Sequence, residues 1–153
     1  MGFIYSAPMD ALAFTTATDV FELTVTADAP VIIHALRLCQ TTDLGDAAEE
    51  VLRIGVYRGA TAGSTGTALT EVAYNNQGNP AVSTAIVANR GTASTGGTLI
   101  DIIGWNIRIP LVEIWTPETR PKVDSTEDVL TFRLLAAPTD SITISGALLF
   151  EEV

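Results

Sequence analysis

Large apolar residues recur at every second position in most of the hydrophobic segments of the chain. In Phe21–Thr26 they alternate with glutamate and threonine, and in Leu130–Leu134 with threonine and arginine. The segment Ile142–Phe150 follows the same period, with a glycine at one of the apolar positions. Alternation of this kind is typical of an antiparallel strand that has one face on a core and one face outward.

The alternation, together with abundant threonine, valine and isoleucine, predicts an all-β, antiparallel β-sandwich with a jelly-roll-like arrangement. About eight strands are expected, at Asp19–Thr26, Val31–Gln40, Glu50–Arg58, Ser83–Asn89, Leu99–Ile109, Leu111–Trp115, Val129–Leu135 and Ile142–Glu151. Two shorter strands are expected near Phe3–Ser6 and Leu69–Ala73. Within Leu99–Ile109 the alternation changes phase near Gly104, which predicts a bulge or a bend there.

The length of 153 residues fits one domain, and no linker divides the chain. Residues 1–18 are expected to form an N-terminal arm and residues 19–153 the sandwich. The best helical candidate is Asp43–Glu50, and Gly45 limits it to one turn at most.

Two loops rich in glycine, serine and threonine resemble each other in composition. They are Gly59–Gly66 and Gly91–Gly97, and each follows an arginine, Arg58 or Arg90. An internal repeat is one explanation, but similar loop chemistry is favoured because these residues commonly build loops. Loops at the ends of a sandwich are common contact sites.

The side-chain charge of the chain is strongly negative. Eighteen aspartates and glutamates against eight lysines and arginines give a formal net charge of −10. Such a surface repels phosphate groups, which predicts that neither nucleic acid nor an anionic membrane is a partner. No apolar run approaches the ~18 residues of a membrane helix. The opening residues, MGFIYSAPMDALAF, also lack the basic region of a signal peptide.

Candidate chemistry is sparse. His34 and Cys39 are the only histidine and the only cysteine, so the chain has no internal disulfide and no sequence pattern for a catalytic triad. His34 is expected on an apolar strand face with Ile32, Leu36 and Leu38. The segment Gly91–Thr98 imitates a phosphate-binding loop but has Gly97 in place of the lysine that holds the phosphates. The sequence therefore predicts no enzyme activity and no cofactor.

Four carboxylates cluster within eight positions, at Asp43, Asp46, Glu49 and Glu50. Their spacing is not that of an EF-hand, so a solvated acidic loop is favoured and calcium binding is the alternative.

The two tryptophans have different expected places. Trp105 follows the phase of Ile107 and Ile109, which indicates the core. Trp115 lies beside prolines, which favours the surface.

Several segments taken together resemble small virion proteins of tailed bacteriophages that decorate the capsid. The similar features are Trp115, Pro117, Glu118 and Arg120, the strand VLTFRLLAAP (Val129–Pro138), the ending ITISGALLFEEV (Ile142–Val153), and ADAPVIIHALRLCQT followed by VLRIGVYRGATAGSTGTAL in the first half. The resemblance covers most of the chain and includes no catalytic motif.

The resemblance implies an outer capsid decoration, or cement, protein that stabilises a phage head through protein–protein contacts. It implies the major capsid protein as partner, a homotrimer as assembly, and a place on the virion surface after assembly in the host cytoplasm. An arm such as Gly2–Phe14 would reach the capsid or a sister subunit. Since aromatic residues dominate interface energies, the candidate interface residues are Phe3, Ile4, Tyr5 and Trp115, with strand-face residues such as Leu149 as the alternative.

Two other functions are consistent with the same pattern. A lectin-like carbohydrate-binding module would use Trp115, Tyr74, Asn75 and Asn76, because aromatic rings stack on sugars. A phage tail or fibre component would use the same sandwich in another part of the virion.

Overall fold

The computed structural model describes residues 2–26, 29–42, 49–75 and 83–153. These residues form strands and no helix. The strands are β1 (Phe3–Phe14), β2 (Asp19–Thr24), β3 (Val31–Gln40), β4 (Val51–Arg58), β5 (Thr67–Ala68), β6 (Val72–Ala73), β7 (Ile86–Arg90), β8 (Thr98–Asn106), β9 (Leu111–Ile114), β10 (Lys122–Val123), β11 (Val129–Leu134) and β12 (Ile142–Glu152). The expected helical turn at Asp43–Glu50 lies mostly outside the described residues, and Glu49 and Glu50 are not helical.

The strands make two antiparallel sheets of six strands each. Sheet A has the order β10-β3-β12-β1-β6, and β9 also pairs with β3. Sheet B has the order β5-β7-β2-β11-β4-β8. The predicted all-β sandwich is confirmed, with more strands than the alternation alone indicated, because strands of two residues such as β10 are too short to show a period.

The interior is built from the inward side chains of both sheets. Tyr5 stacks on Phe150 with 5.8 Å between ring centroids, and Trp115 packs against Phe132 at 6.1 Å. Trp105 is buried, as its phase predicted, and its indole Nε1–H donates to the carbonyl of Ile109 at 2.8 Å. The aromatic rings thus supply apolar surface to the core, and the Trp105 indole N–H keeps a hydrogen-bond partner although it is buried.

The expected N-terminal arm is instead strand β1. It pairs with β12 from Phe3↔Glu152 to Phe14↔Ile142, and also with β6. A register shift follows Met9, and Ala11 there has a positive φ of 50°. This irregularity interrupts the alternation in the second half of the strand, beyond the short segment Phe3–Ser6 that the sequence indicated.

A bulge in β3 sets which of its side chains face the core. Leu149 pairs with Ala35 but Phe150 pairs with Ile33, so His34 is the extra residue. Leu36 and Leu38 are core residues, whereas His34 is half-buried and bonded to Glu151. The expectation that His34 shares a face with Leu36 and Leu38 is therefore wrong, because the extra residue reverses the phase.

The bulge expected near Gly104 is also displaced. In β8 the register shift lies where Val56 pairs with Asp101 and Tyr57 pairs with Leu99, so Ile100 is the extra residue. Gly104 pairs regularly with Arg53.

We predict that Gly146→Ala destabilises the protein by about 1–3 kcal/mol, the usual cost of overpacking. A Cβ at Gly146 would lie 2.0 Å from the backbone carbonyl oxygen of Arg37 on the neighbouring strand. The matched control is Gly104→Ala, where the nearest atom, Val51 Cγ1, is 4.0 Å away. Urea denaturation should separate the two variants, with Gly104→Ala within about 0.5 kcal/mol of the parent protein. Equal effects would contradict the close approach of β3 and β12.

Candidate interaction surface

The two similar loops lie together over strand β2, on the outer face of sheet B. Thr61 and Thr95 exchange backbone hydrogen bonds of 2.9 and 3.1 Å, and Ser64 and Thr92 exchange bonds of 3.1 and 2.8 Å. Their likeness in composition therefore accompanies a direct pairing. We call residues 59–66 and 91–97 the paired loops.

The paired loops are held by two carboxylates of β2 that are fully buried. Glu22 accepts the Gly63 N–H at 2.6 Å and the Nε–H of Arg90 at 2.8 Å. Asp19 accepts the backbone N–H of Ser94 at 2.7 Å and its hydroxyl at 3.0 Å. Each loop is thus fastened to the sheet through a carboxylate below it.

Arg133 completes this cluster. Its Nε lies 3.5 Å from Asp19 Oδ1, its terminal nitrogen donates to Ser94 Oγ at 2.8 Å, and its guanidinium lies 4.1 Å from the ring centroid of Tyr57. Burial raises the pKa of Asp19 above its ordinary value of 3.8, against the lowering effects of the Ser94 hydrogen bonds and the Arg133 charge. The chain itself therefore occupies the part of sheet B that carries these charges.

Small and apolar residues dominate the outer face of sheet A. Strand pairing aligns two rows across it, Val72–Ser6–Leu149–Ala35–Ile114 and Pro8–Ala147–Arg37–Val112. We call these nine residues the sheet A stripe. Val112 and Ile114 are 57% and 66% exposed and lie on the same side of β9, and Val72 at the opposite edge of the sheet is 44% exposed, whereas Ser6, Ala35 and Leu149 between them are buried.

The shape and charge of the stripe suit a protein partner. Ser6, Ala35 and Ala147 form a low floor, and Val112 and Ile114 stand at one side of it. Arg37 is the only charged residue of the stripe, although the chain carries a net charge of −10. A flat, apolar and nearly uncharged area binds by burial of surface and not by recognition of one chemical group.

One end of the stripe is bordered by a hydrogen bond between a histidine and a glutamate. His34 Nε2 lies 2.8 Å from Glu151 Oε2, and Glu151 Oε1 accepts the Gly2 N–H at 3.0 Å. The bonds tie the start of β1 to β12 and β3. His34 Nε2 therefore already has a hydrogen-bond partner in Glu151.

The four predicted interface residues are separated by the fold. Tyr5 is fully buried and Trp115 is 6% exposed, so both belong to the core. Phe3 is 38% exposed at the end of β1, and Ile4 is half-buried on the outer face of sheet A. The surface assignment of Trp115 is wrong because its backbone N–H bonds the carbonyl of His34, which seats the ring on Phe132.

The most exposed residues of the stripe were missed by sequence reasoning. In the segment Leu111–Trp115, LVEIW, apolar residues occupy both alternating sets of positions, so period two cannot tell which face is buried. Only the pairing of β9 with β3 places Val112 and Ile114 outward. Leu149, named as an alternative anchor, pairs with Ala35 and Ser6 in the stripe but is only 8% exposed.

A groove of about 540 Å³ lies elsewhere on the molecule. It is lined by Arg58, Ile100, Asp101, Trp115, Glu118, Thr119, Arg120, Pro121 and Lys122. Arg58 is already paired, with its Nε 2.6 Å from Glu127 Oε2. Hydrogen bonds from its own backbone and from Thr116 lower the pKa of Glu118 below 4.5, the opposite of what a general acid requires.

The described residues contain no group of three His, Cys, Asp or Glu side chains placed to hold a metal ion. Of the acidic cluster, Asp43 and Asp46 lie outside the described residues, as does Asn76. Glu49 accepts from Asn106 at 3.3 Å, and Glu50 accepts from the Thr139 backbone N–H at 3.1 Å.

No helix in the described part of the chain is long and apolar enough to cross a membrane.

Comparison with known proteins finds no matching family model, no matching curated protein and no matching solved structure. The surfaces of the molecule and the resemblance in sequence are therefore the available pointers to function.

We predict that Asp19→Asn changes the pH dependence of stability in a defined direction. Native Asp19 keeps its proton to higher pH than the unfolded chain does, so its contribution is complete below about pH 3.8. It is lost as the pH rises through the raised native pKa. The unfolding free energy of the parent protein minus that of the variant should fall across this window, measured by urea denaturation at several pH values.

Glu118→Gln is the control of opposite sign. The lowered pKa of Glu118 gives a contribution that is present above 4.5 and is lost as the pH falls. Because Glu118 is exposed, its effect should be the smaller one. If the difference in unfolding free energy between the parent protein and Asp19→Asn did not change with pH, the raised pKa of the buried Asp19 carboxyl would be contradicted.

Proposed function

We propose that this chain is an outer capsid decoration protein, and that it binds the major capsid protein of a phage head through the sheet A stripe. The observation that carries the proposal is the contrast between the two sheets. The paired loops close over charged side chains of β2 on the outside of sheet B, while the outside of sheet A carries exposed apolar side chains, Val112 and Ile114 at one side of the stripe and Val72 at the other.

The expected strength of binding comes from a few side chains. Burying a valine or isoleucine side chain completely is worth about 1.5–3 kcal/mol. Val72, Val112 and Ile114 start from roughly half to two-thirds exposed, so each has part of that amount still to gain. Burial of all three supplies several kcal/mol, from Val112 and Ile114 at one side of the stripe and Val72 at the other.

The remaining surface also fits this role. The acidic side chains that give the net charge of −10 lie outside the stripe, so docking through it leaves the charge in solvent. A surface of this sign does not compete for packaged DNA. The similarity to capsid decoration proteins in the segments quoted above supports the same conclusion, since those proteins are sandwiches that act by adhesion.

The test is co-sedimentation of the purified chain with shells assembled from the major capsid protein encoded in the same genome. We expect saturable binding and a higher temperature of shell rupture. Ile114→Lys should weaken binding about tenfold or more, since losing about 1.4 kcal/mol or more of apolar burial has that effect. The stability of the free chain should change by less than about 0.5 kcal/mol.

The matched control is Ile109→Lys, which makes the same change at a residue that is 61% exposed in the turn after β8. It should bind like the parent chain. Equal loss in both variants would place the contact elsewhere, and no binding of the parent chain to shells would reject the decoration role. Binding to purified tails and not to heads would favour a tail component.

A further inference from the structure

Strand β8 leaves a long sheet edge without a neighbour among the described residues. β5 and β6, at the edges of the two sheets, have two residues each, and the outer side of β3 is covered by β9 and β10. β8 has nine residues and pairs on one side only, with β4. A free edge of this length is a template for another strand.

The hydrogen bonds around β4 show which backbone groups of β8 point away from the sheet. Ile107 N–H donates to the carbonyl of Glu50, and the carbonyl of Arg53 accepts from Leu135 on the opposite side. The backbone N–H and C=O groups of the even-numbered residues of β4 therefore point toward β8. Those of the odd-numbered residues of β8 after its bulge point toward β4. The N–H and C=O groups of Ile102, Gly104 and Asn106 point outward.

Two of these six outward groups already have partners within the chain. The Ile102 N–H donates to the carboxylate of Asp101 at 2.8 Å, and the Asn106 carbonyl accepts from Ile109 at 3.0 Å. The other four have no partner in the part of the chain that the structure describes. They are the N–H groups of Gly104 and Asn106 and the carbonyls of Ile102 and Gly104.

We propose that β8 pairs antiparallel with β8 of a second copy of this chain, about a two-fold axis at Gly104. In that register each Gly104 N–H donates to the Gly104 carbonyl of the other copy, and each Asn106 N–H donates to the Ile102 carbonyl of the other copy. The two-fold pair uses the same four groups that lack partners. The Ile102 N–H and the Asn106 carbonyl, which already have partners within the chain, make no bond across the axis in this register. This match is the reason for proposing a second copy and this register.

The side chains permit this approach. A Cβ added at Gly104 would have no atom of its own chain nearer than 4.0 Å, so the backbone at the axis is accessible with either glycine or a small side chain there. Ile102 is 49% exposed and lies opposite Asn106 of the other copy, where the pairing covers it. The pair joins two six-stranded sheets into one continuous sheet.

Charge opposes the association without preventing it. Each copy carries a net charge of −10, so the dimer should strengthen as salt is added. The exposed Arg53 side chains flank Gly104 on each side. Three strand spacings separate them, about 14 Å, which is beyond the Debye length of about 8 Å at physiological salt.

The first test is sedimentation velocity over a concentration series of the full chain, at low and at physiological salt. We expect a reversible monomer–dimer equilibrium. Gly104→Pro removes the outward N–H and leaves the bonds to β4 in place, so it should raise the dimer dissociation constant about tenfold or more. Gly104→Ala keeps the N–H and should dimerise like the parent chain.

The second test does not depend on the proline variant folding. In a Cys39→Ser background, Gly104→Cys places the two α-carbons about 5.5 Å apart across the axis, within disulfide range. Ile102→Cys is the matched control, since the two copies of residue 102 lie roughly 14 Å apart. We expect rapid oxidation to a covalent dimer for Gly104→Cys only.

A chain that stays monomeric at every concentration, or equal crosslinking at both positions, would overturn the two-fold pair. A mass of three chains would overturn it in favour of the trimer expected from the family resemblance. The proposal rests on the backbone of β8 and not on the decoration role. Gly104→Pro should still bind capsid shells through the sheet A stripe, so the two proposals can fail separately.

Discussion

The architecture depends on the burial of two carboxylates on one strand. Asp19 and Glu22 lie on the outward side of β2, yet neither is exposed, because the paired loops cross above them. Removing two charges from water is costly unless hydrogen bonds and opposite charges replace the solvent. Arg133, Arg90 and the loop N–H groups supply both. The loops hold the carboxylates, and the carboxylates keep the loops in place.

This arrangement decides which surfaces remain for other molecules. With the charged part of sheet B closed by its own chain, the two features proposed as contact sites are the outer face of sheet A and the edge of β8 that has no neighbour among the described residues. The first offers apolar side chains, and the second offers unpaired backbone groups. They differ in chemistry and point in different directions, so the two proposed contacts do not compete for the same groups.

Bulges account for most of the differences between expectation and structure. One extra residue at His34 exchanges the faces of β3, and the irregularity at Ala11 hides the second half of β1. A period-two argument assumes an uninterrupted ladder, so each bulge reverses its conclusion from that residue onward. The core position of Trp115 was missed because it depends on a contact between distant parts of the chain. The backbone N–H of Trp115 donates to the carbonyl of His34 on β3, and this bond places the ring.

The sequence by itself determined the class of fold and most of the strands, because alternation and β-branched residues report the local preference of the backbone. Val31–Gln40, for example, begins and ends where the pattern predicted. Tertiary structure alone decided which face of each strand is buried, that the two glycine-rich loops pair, and that Ile114 is exposed while Tyr5 is not. The reason is physical. Strand formation depends on neighbours in the chain, whereas exposure depends on strand order and register, which join residues more than a hundred positions apart.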